Sequence, residues 1–187
     1  MAGYIGNFPT AIPLSGTDIA DGTITNSDLA NSSITVNGTS ISLGASGSIS
    51  AGITEADSFR LTASKSGTGD ITANLSRVGS VKIGTGMTES SGIFSFPSTG
   101  IYRIQATFDC NASAQYYIKT TTDNSTYTEA TLIRTDADNN HTGSFLFDVT
   151  NTTTHKVKFV VDVNTGVTTG NASFNRTYFE FIRLGDT

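Results

Sequence analysis

The side chains that could perform acid–base chemistry are few and scattered along this sequence. The two histidines, His141 and His155, lie far apart beside predicted loops, and spacing groups neither of them with a serine and an aspartate. A histidine in such a position is usually a solvated side chain, and catalysis has to be argued from a site. We therefore predict solvated histidines, no catalytic residue and no enzyme. The single cysteine, Cys110, ends an alternating run and is predicted to be a buried strand residue.

A polar loop over residues 136–140 is the only place where the sequence suggests a metal ion. Asp136 and Asp138 stand there beside Asn139 and Asn140, and hard oxygen ligands of this kind suit Ca²⁺. The loop lacks the spacing of a defined calcium motif. A solvated turn is therefore favoured, and neither a metal nor a cofactor is predicted.

Aromatic residues supply the candidates for ligand contact. Tyr116 and Tyr117 are adjacent, and Asn124 lies in the polar loop that follows them. Aromatic rings serve well at interfaces. Neighbouring residues of a strand point to opposite faces, so one tyrosine should face the core and the other solvent or a neighbouring subunit.

Composition indicates a β-protein and excludes several function classes. Charged residues make up only 14% of the 187 residues, the net charge is −5, and no run of Lys or Arg occurs. A broad nucleic-acid surface needs such clusters. No apolar stretch approaches the ~20 residues that span a bilayer, and the first residues do not resemble a signal peptide. We predict neither nucleic-acid binding nor membrane insertion.

The first third of the chain is an arm with two parts. Residues 1–15 carry scattered apolar and proline residues that could dock on another protein, although a frayed terminus is an equal alternative. The docking candidates are Tyr4, Ile5, Phe8, Pro9 and Ile12. In residues 16–55 single apolar residues alternate with Ser and Thr, Asn37-Gly38 predicts a hairpin, and residues 28–30 suggest a helical turn. Such sparse strands are stabilised when equivalent strands of other chains cover them, as in a fibrous stalk.

Residues 56–187 have the pattern of an antiparallel sandwich or jelly roll. Short alternating strands recur with Gly, Asn and Thr turns between them, and no window has a helical period. The predicted strands are 58–63, 70–75, 80–83, 92–96, 101–108, 114–120, 126–133, 144–149, 155–163 and 173–184.

The segment Gly92–Ile104 resembles the C1q/TNF-like head family. That family has the form G-x-F-x-x-P-x-x-G-x-Y-x-F, and the residues on its pattern are Gly92, Phe94, Pro97, Gly100 and Tyr102. Ile104 replaces the last aromatic residue. Pro97 cannot donate to a ladder and ends a strand, while Gly100 permits a tight corner, so the motif predicts core packing. The resemblance implies an all-β, antiparallel jelly-roll head that forms a homotrimer.

The arm has a second resemblance. Residues 4–7 and 16–25 are similar to the virion-attached part of fibre proteins of tailed bacteriophages, notably marine ones. Together the resemblances imply a virion structural protein that is assembled in the host cytoplasm. Residues 1–15 would attach to other tail or capsid proteins, 16–55 would form the stalk, and the trimeric head would bind a host surface glycan or protein.

Two alternatives stay open at this point. The protein could be a capsid decoration, cement or tail adaptor protein that makes no direct receptor contact, with the arm as its working part. A depolymerase is the enzyme alternative, and no convergent group of residues in the sequence supports it.

Overall fold

The structure is a computed structural model that describes residues 19–36, 38–49, 52–79, 82–137 and 139–187. The predicted docking residues Tyr4, Ile5, Phe8, Pro9 and Ile12 lie outside these ranges. The chain forms two compact units that divide between Ala51 and Gly52. Each unit is described below by itself.

The first unit contains a β-hairpin and one short helical turn. Strands β1 (Ser33–Val36) and β2 (Thr39–Ser42) pair antiparallel, with Ile34 opposite Ile41. The predicted hairpin is confirmed, and Gly38 adopts the positive φ of 77° that its turn requires. The 3-10 turn spans Asn26–Asp28, two residues before the predicted position, because the Asp28 carboxylate accepts a hydrogen bond from the Thr25 amide at 2.8 Å.

The second unit consists of strands joined by turns and loops, and no α-helix occurs in its described residues. The strands are β3 (Ala56–Leu61), β4 (Lys65–Ser66), β5 (Gly69–Asp70), β6 (Leu75–Arg77), β7 (Thr88–Ser90), β8 (Ile93–Ser95), β9 (Gly100–Cys110), β10 (Ala114–Thr121), β11 (Thr128–Thr135), β12 (Asn139–Val149), β13 (Lys156–Asn164), β14 (Val167–Thr168) and β15 (Tyr178–Gly185).

Two antiparallel sheets form a sandwich. One sheet has the order β11-β10-β13-β8-β7, with β5 also paired to β13. The other sheet has the order β12-β9-β15-β3-β6. β14 continues beside the last residue of β9 and pairs with β4. The predicted all-β, antiparallel jelly roll is confirmed.

Aromatic side chains from both sheets fill the space between them. The rings of Phe159 and Phe179 stack with centroids 3.7 Å apart, and Phe94 packs 5.0 Å from Phe181. Phe108 stacks on Tyr116 at 4.0 Å. These rings come from alternate positions of their strands, because only every second side chain points inward.

The Gly92–Ile104 segment packs as the motif predicts. Phe94, Phe96, Tyr102 and Ile104 are all buried. Phe96 contacts Tyr102 with ring centroids 4.7 Å apart, and the Tyr102 hydroxyl donates to the Ser98 carbonyl at 3.1 Å. The corner between β8 and β9 is thus held by core residues on both of its sides.

Several predicted strands are wrong in extent: β12 begins at Asn139 rather than at residue 144, and two further strands differ for local reasons. The strand predicted over 70–75 is interrupted between β5 and β6, because Ile71 is buried there and Asn74 adopts a left-handed φ of 59°. The closing strand begins at Tyr178 rather than at residue 173. The side-chain oxygen of Asn171 accepts the amides of Ser173 and Phe174 at 2.8 and 3.2 Å, which makes a turn instead.

Candidate interaction surfaces

The strand registers define two ends of the second unit. At the proximal end, where the chain enters, β3 begins at Ala56, β9 begins at Gly100, and β12 and β15 finish at Val149 and Gly185. The distal end carries the opposite termini of these strands. The loop residues 111–113, 136–137, 165–166 and 169–177 lie there, while the loop 122–127 lies at the proximal end.

Tyr116 and Tyr117 divide between the two faces of their sheet, as predicted. Tyr116 is completely buried, its hydroxyl lies 2.9 Å from the Thr168 hydroxyl, and burial raises its pKa above the ordinary value. Because Tyr116 exposes no surface, it is corrected from a contact candidate to a core residue. Tyr117 is half-buried on the outer face, where the Lys119 ammonium lies 5.2 Å from its ring centroid.

Asn124 lies in a well-braced turn at the proximal end. Its φ is 60°, a left-handed conformation that asparagine tolerates. The neighbouring Asp123 carboxylate accepts the amides of Thr126 and Ser125 at 2.8 and 2.9 Å and the Thr121 hydroxyl at 2.7 Å. These hydrogen bonds, the one from Thr126 first, lower the pKa of Asp123. They hold the loop in one conformation.

Asp136, one of the two aspartates considered as metal ligands, belongs to the distal end. Asp136 is exposed, and its carbonyl accepts the Asn139 amide at 3.4 Å. Asp138 lies outside the described residues. Within the described ranges no three His, Cys, Asp or Glu side chains cluster as metal ligands would.

One histidine prediction is wrong. His155 is buried rather than solvated: its ring stacks on Phe147 at 5.5 Å, and its two nitrogens lie 3.2 Å from the hydroxyls of Thr150 and Thr154. The loop before β13 folds over this ring, which sequence spacing could not reveal. His141 is half-buried on β12 opposite Phe108, and Cys110 is buried as predicted.

An outward sheet face carries apolar residues that sequence reasoning did not single out. On the β12-β9-β15-β3 sheet, Leu146 is 59% exposed and Leu184 is 56% exposed. A shallow pocket of about 210 Å³ on this face is lined by Ile83, Ile182, Ala56 and other residues. The alternation within β12 and β15 contains this signal, since residues between core positions must face outward.

Exposed apolar residues also occur at the distal end of the second unit. Phe174 is 57% exposed in the Asn171 turn, and Arg60 supports this turn by donating to the Ala172 carbonyl at 3.2 Å. Val163, near the end of β13, is 43% exposed. Phe174 was missed because the sequence predicts it inside the closing strand.

The first unit also has exposed aliphatic residues. The most exposed are Ile24 at 55%, Ile34 at 52% and Leu29 at 43%. Single exposed apolar residues are ordinary on protein surfaces, but a small unit with so little else to bury offers a contact surface. The described residues contain no helix that is long and apolar enough to cross a membrane.

The fold has counterparts among solved structures. Murine APRIL superimposes with a TM-score of 0.55 and 12% identity over 70% of this chain and 98% of its own. Eiger TNF from S. frugiperda superimposes with a TM-score of 0.56 and 10% identity over 71% of this chain and 93% of its own. PRD1 vertex protein P5 superimposes with a TM-score of 0.49 and 17% identity over 73% of this chain and 100% of its own. No family model and no curated protein sequence matches the chain. At such identities these likenesses show the fold alone: the described residues of the second unit form a jelly roll similar to that of the TNF structures.

Proposed function

We propose that this protein is a structural component of a bacteriophage virion, a homotrimeric fibre that attaches by its arm and contacts the host with its head. One observation carries the proposal: a C1q/TNF-like jelly roll follows a separate, weakly packed unit whose aliphatic residues are exposed. The resemblance of residues 4–7 and 16–25 to phage fibre arms supports the particle assignment.

The outward face of the β12-β9-β15-β3 sheet supports the trimer. It places Leu146 at one edge of the sheet and the Ile83–Ile182 pocket near the other. The projecting Leu146 of one copy could enter the pocket of the next copy, which is a heterologous contact. Such contacts form a closed ring when the rotation between neighbouring copies is a third of a turn or another whole fraction of it. Three copies related in this way would bury the exposed leucines.

The orientation of the head follows from the point where the chain enters it. If the arm is anchored to the particle, the proximal end lies on the particle side and the distal loops face outward. Phe174 is then the main contact candidate, because exposed aromatic residues are favoured at interfaces. Of the sequence candidates, Tyr117 on the outer sheet face stays a proposed contact, whereas Asn124 lies at the particle side.

Deletions test the two halves of this proposal separately. Removing residues 1–50 should abolish incorporation into particles, because the attachment residues are lost. Removing the head should leave incorporation intact and abolish host adsorption. Normal adsorption without the head would instead support the alternative, a decoration, cement or adaptor protein whose arm is the working part.

Point changes test the orientation. Phe174→Ala should lower host adsorption without changing the amount of protein in the particle, since the side chain has few buried contacts to lose. Asn124→Gly is the matched control, because glycine accepts its positive φ. A loss of adsorption with Asn124→Gly alone would reverse the assigned orientation.

A further inference from the structure

The β1–β2 hairpin of the first unit has two chemically different faces. The register places Ile34 opposite Ile41 and Val36 opposite Thr39, so these side chains share one face. Ser33, Thr35, Ser40 and Ser42 share the other face and are all exposed. The hairpin is therefore amphipathic, with one aliphatic face and one hydroxyl face.

The described residues of the first unit cover only part of the aliphatic face. Gly47 lies against Ile41, so closely that a Cβ at Gly47 would come within 2.6 Å of the Ile41 Cγ1. Ile41 is consequently half-buried, while Ile34 remains 52% and Val36 38% exposed. A two-stranded hairpin is marginal at best in water, and this one has only four residues in each strand. A partner on that face would stabilise it.

The charge pattern indicates which partner fits. Residues 29–54 contain no charged side chain, so the aliphatic face has no charged neighbour along the chain. Around a symmetry axis each residue meets its own copies, and a charge there would repel itself. Small aliphatic residues meet their copies without that cost. A binding site for a different protein would gain specificity from charge, which is absent here.

We propose that the aliphatic faces of three β1–β2 hairpins, one from each chain, pack together around the trimer axis as a small common core. Ile34 and Val36 point toward the axis, and the hydroxyl face of each hairpin points to solvent. The number three rests on the proposed function, whereas the face that makes the contact rests on the register and burial of the hairpin.

Cysteine cross-linking of the full chain tests this inference. Ile34→Cys places a thiol on the aliphatic face, and Thr35→Cys places one on the opposite face at the next residue. With an added oxidant, Ile34→Cys should double the apparent chain mass on a denaturing, non-reducing gel, and Thr35→Cys should not. At most two chains of each trimer can be joined. Unmodified protein reports any background from Cys110, which is buried.

Val36→Cys provides a second position on the aliphatic face if Ile34→Cys lowers the yield of folded protein. A trimeric native mass without cross-links at either position, or with equal cross-links at Thr35→Cys, would overturn the hairpin inference and leave the trimer standing. A monomeric native mass of the unmodified protein would overturn the trimer and this inference together.

Discussion

Asp57 illustrates how a charged side chain serves packing in this protein. Its side chain is 1% exposed, and its carboxylate accepts hydrogen bonds from Arg77 Nε at 2.8 Å, Arg77 Nη2 at 2.9 Å and the Met87 amide at 2.8 Å. Arg77 Nη2 also donates to the Met87 carbonyl at 2.7 Å, and hydrogen bonding to Asp57 raises the Arg77 pKa. One ion pair thus ties β3, β6 and the start of β7 together.

Arg77→Ala should destabilise the protein by about 3 kcal/mol, because it leaves a buried carboxylate without its counter-charge. Arg134→Ala is the matched control: Arg134 is exposed, so its loss should change the unfolding free energy by less than about 0.5 kcal/mol. Denaturant midpoints measure both effects. Equal midpoints for the two variants would refute the structural importance assigned to this pair.

At the residue scale, the sequence predicts burial well where a residue lies in a long alternating strand. Cys110 and the Tyr116–Tyr117 division were predicted on that basis and are confirmed. His155 was not, because its burial arises from a loop that folds back onto Phe147. Phe174 was missed for a related reason, since the Asn171 turn stops a strand whose pattern continues.

The β7–β8 turn is an element whose glycine is predicted by the sequence but whose packing neighbour is not. Gly92 has a φ of 81°, and a Cβ there would lie 2.1 Å from the Ile71 carbonyl oxygen. The turn therefore requires glycine twice, for its dihedral angle and for the close approach of another backbone segment. The motif predicts this glycine, but only the structure identifies Ile71 as its neighbour.

Gly92→Ala should cost about 3 kcal/mol or more, since the positive φ costs about 1–2 kcal/mol and the clash forces a backbone shift. Gly67→Ala isolates the dihedral cost alone, because Gly67 has a φ of 71° and open space around its Cα. Thermal unfolding of both variants makes the comparison. If Gly67→Ala is the more damaging of the two, the close approach at Gly92 is not what constrains the turn.

For whole elements, strong periodicity located the long strands β9, β10, β12 and β13, and turn residues located the hairpin of the first unit. The short strands β4–β7 and β14 were poorly predicted. Each has only two or three residues, so a period of two cannot be recognised in it, and its pairing depends on neighbours distant in sequence.

On the scale of the whole molecule, the two units differ in how far their apolar residues are buried. The second unit encloses a continuous aromatic core, whereas the described part of the first unit leaves most of its aliphatic residues exposed. In the proposed trimer, equivalent residues of the other chains bury them. We expect the protein to trimerise through both the sheet face and the hairpin.

The mass of the full chain in native buffer tests that claim most directly. We expect a single species of about three times the chain mass of 19.6 kDa, with no change on dilution through the micromolar range. The trimer should persist because contacts in both units hold it together. A monodisperse species at 19.6 kDa would contradict the proposed trimer.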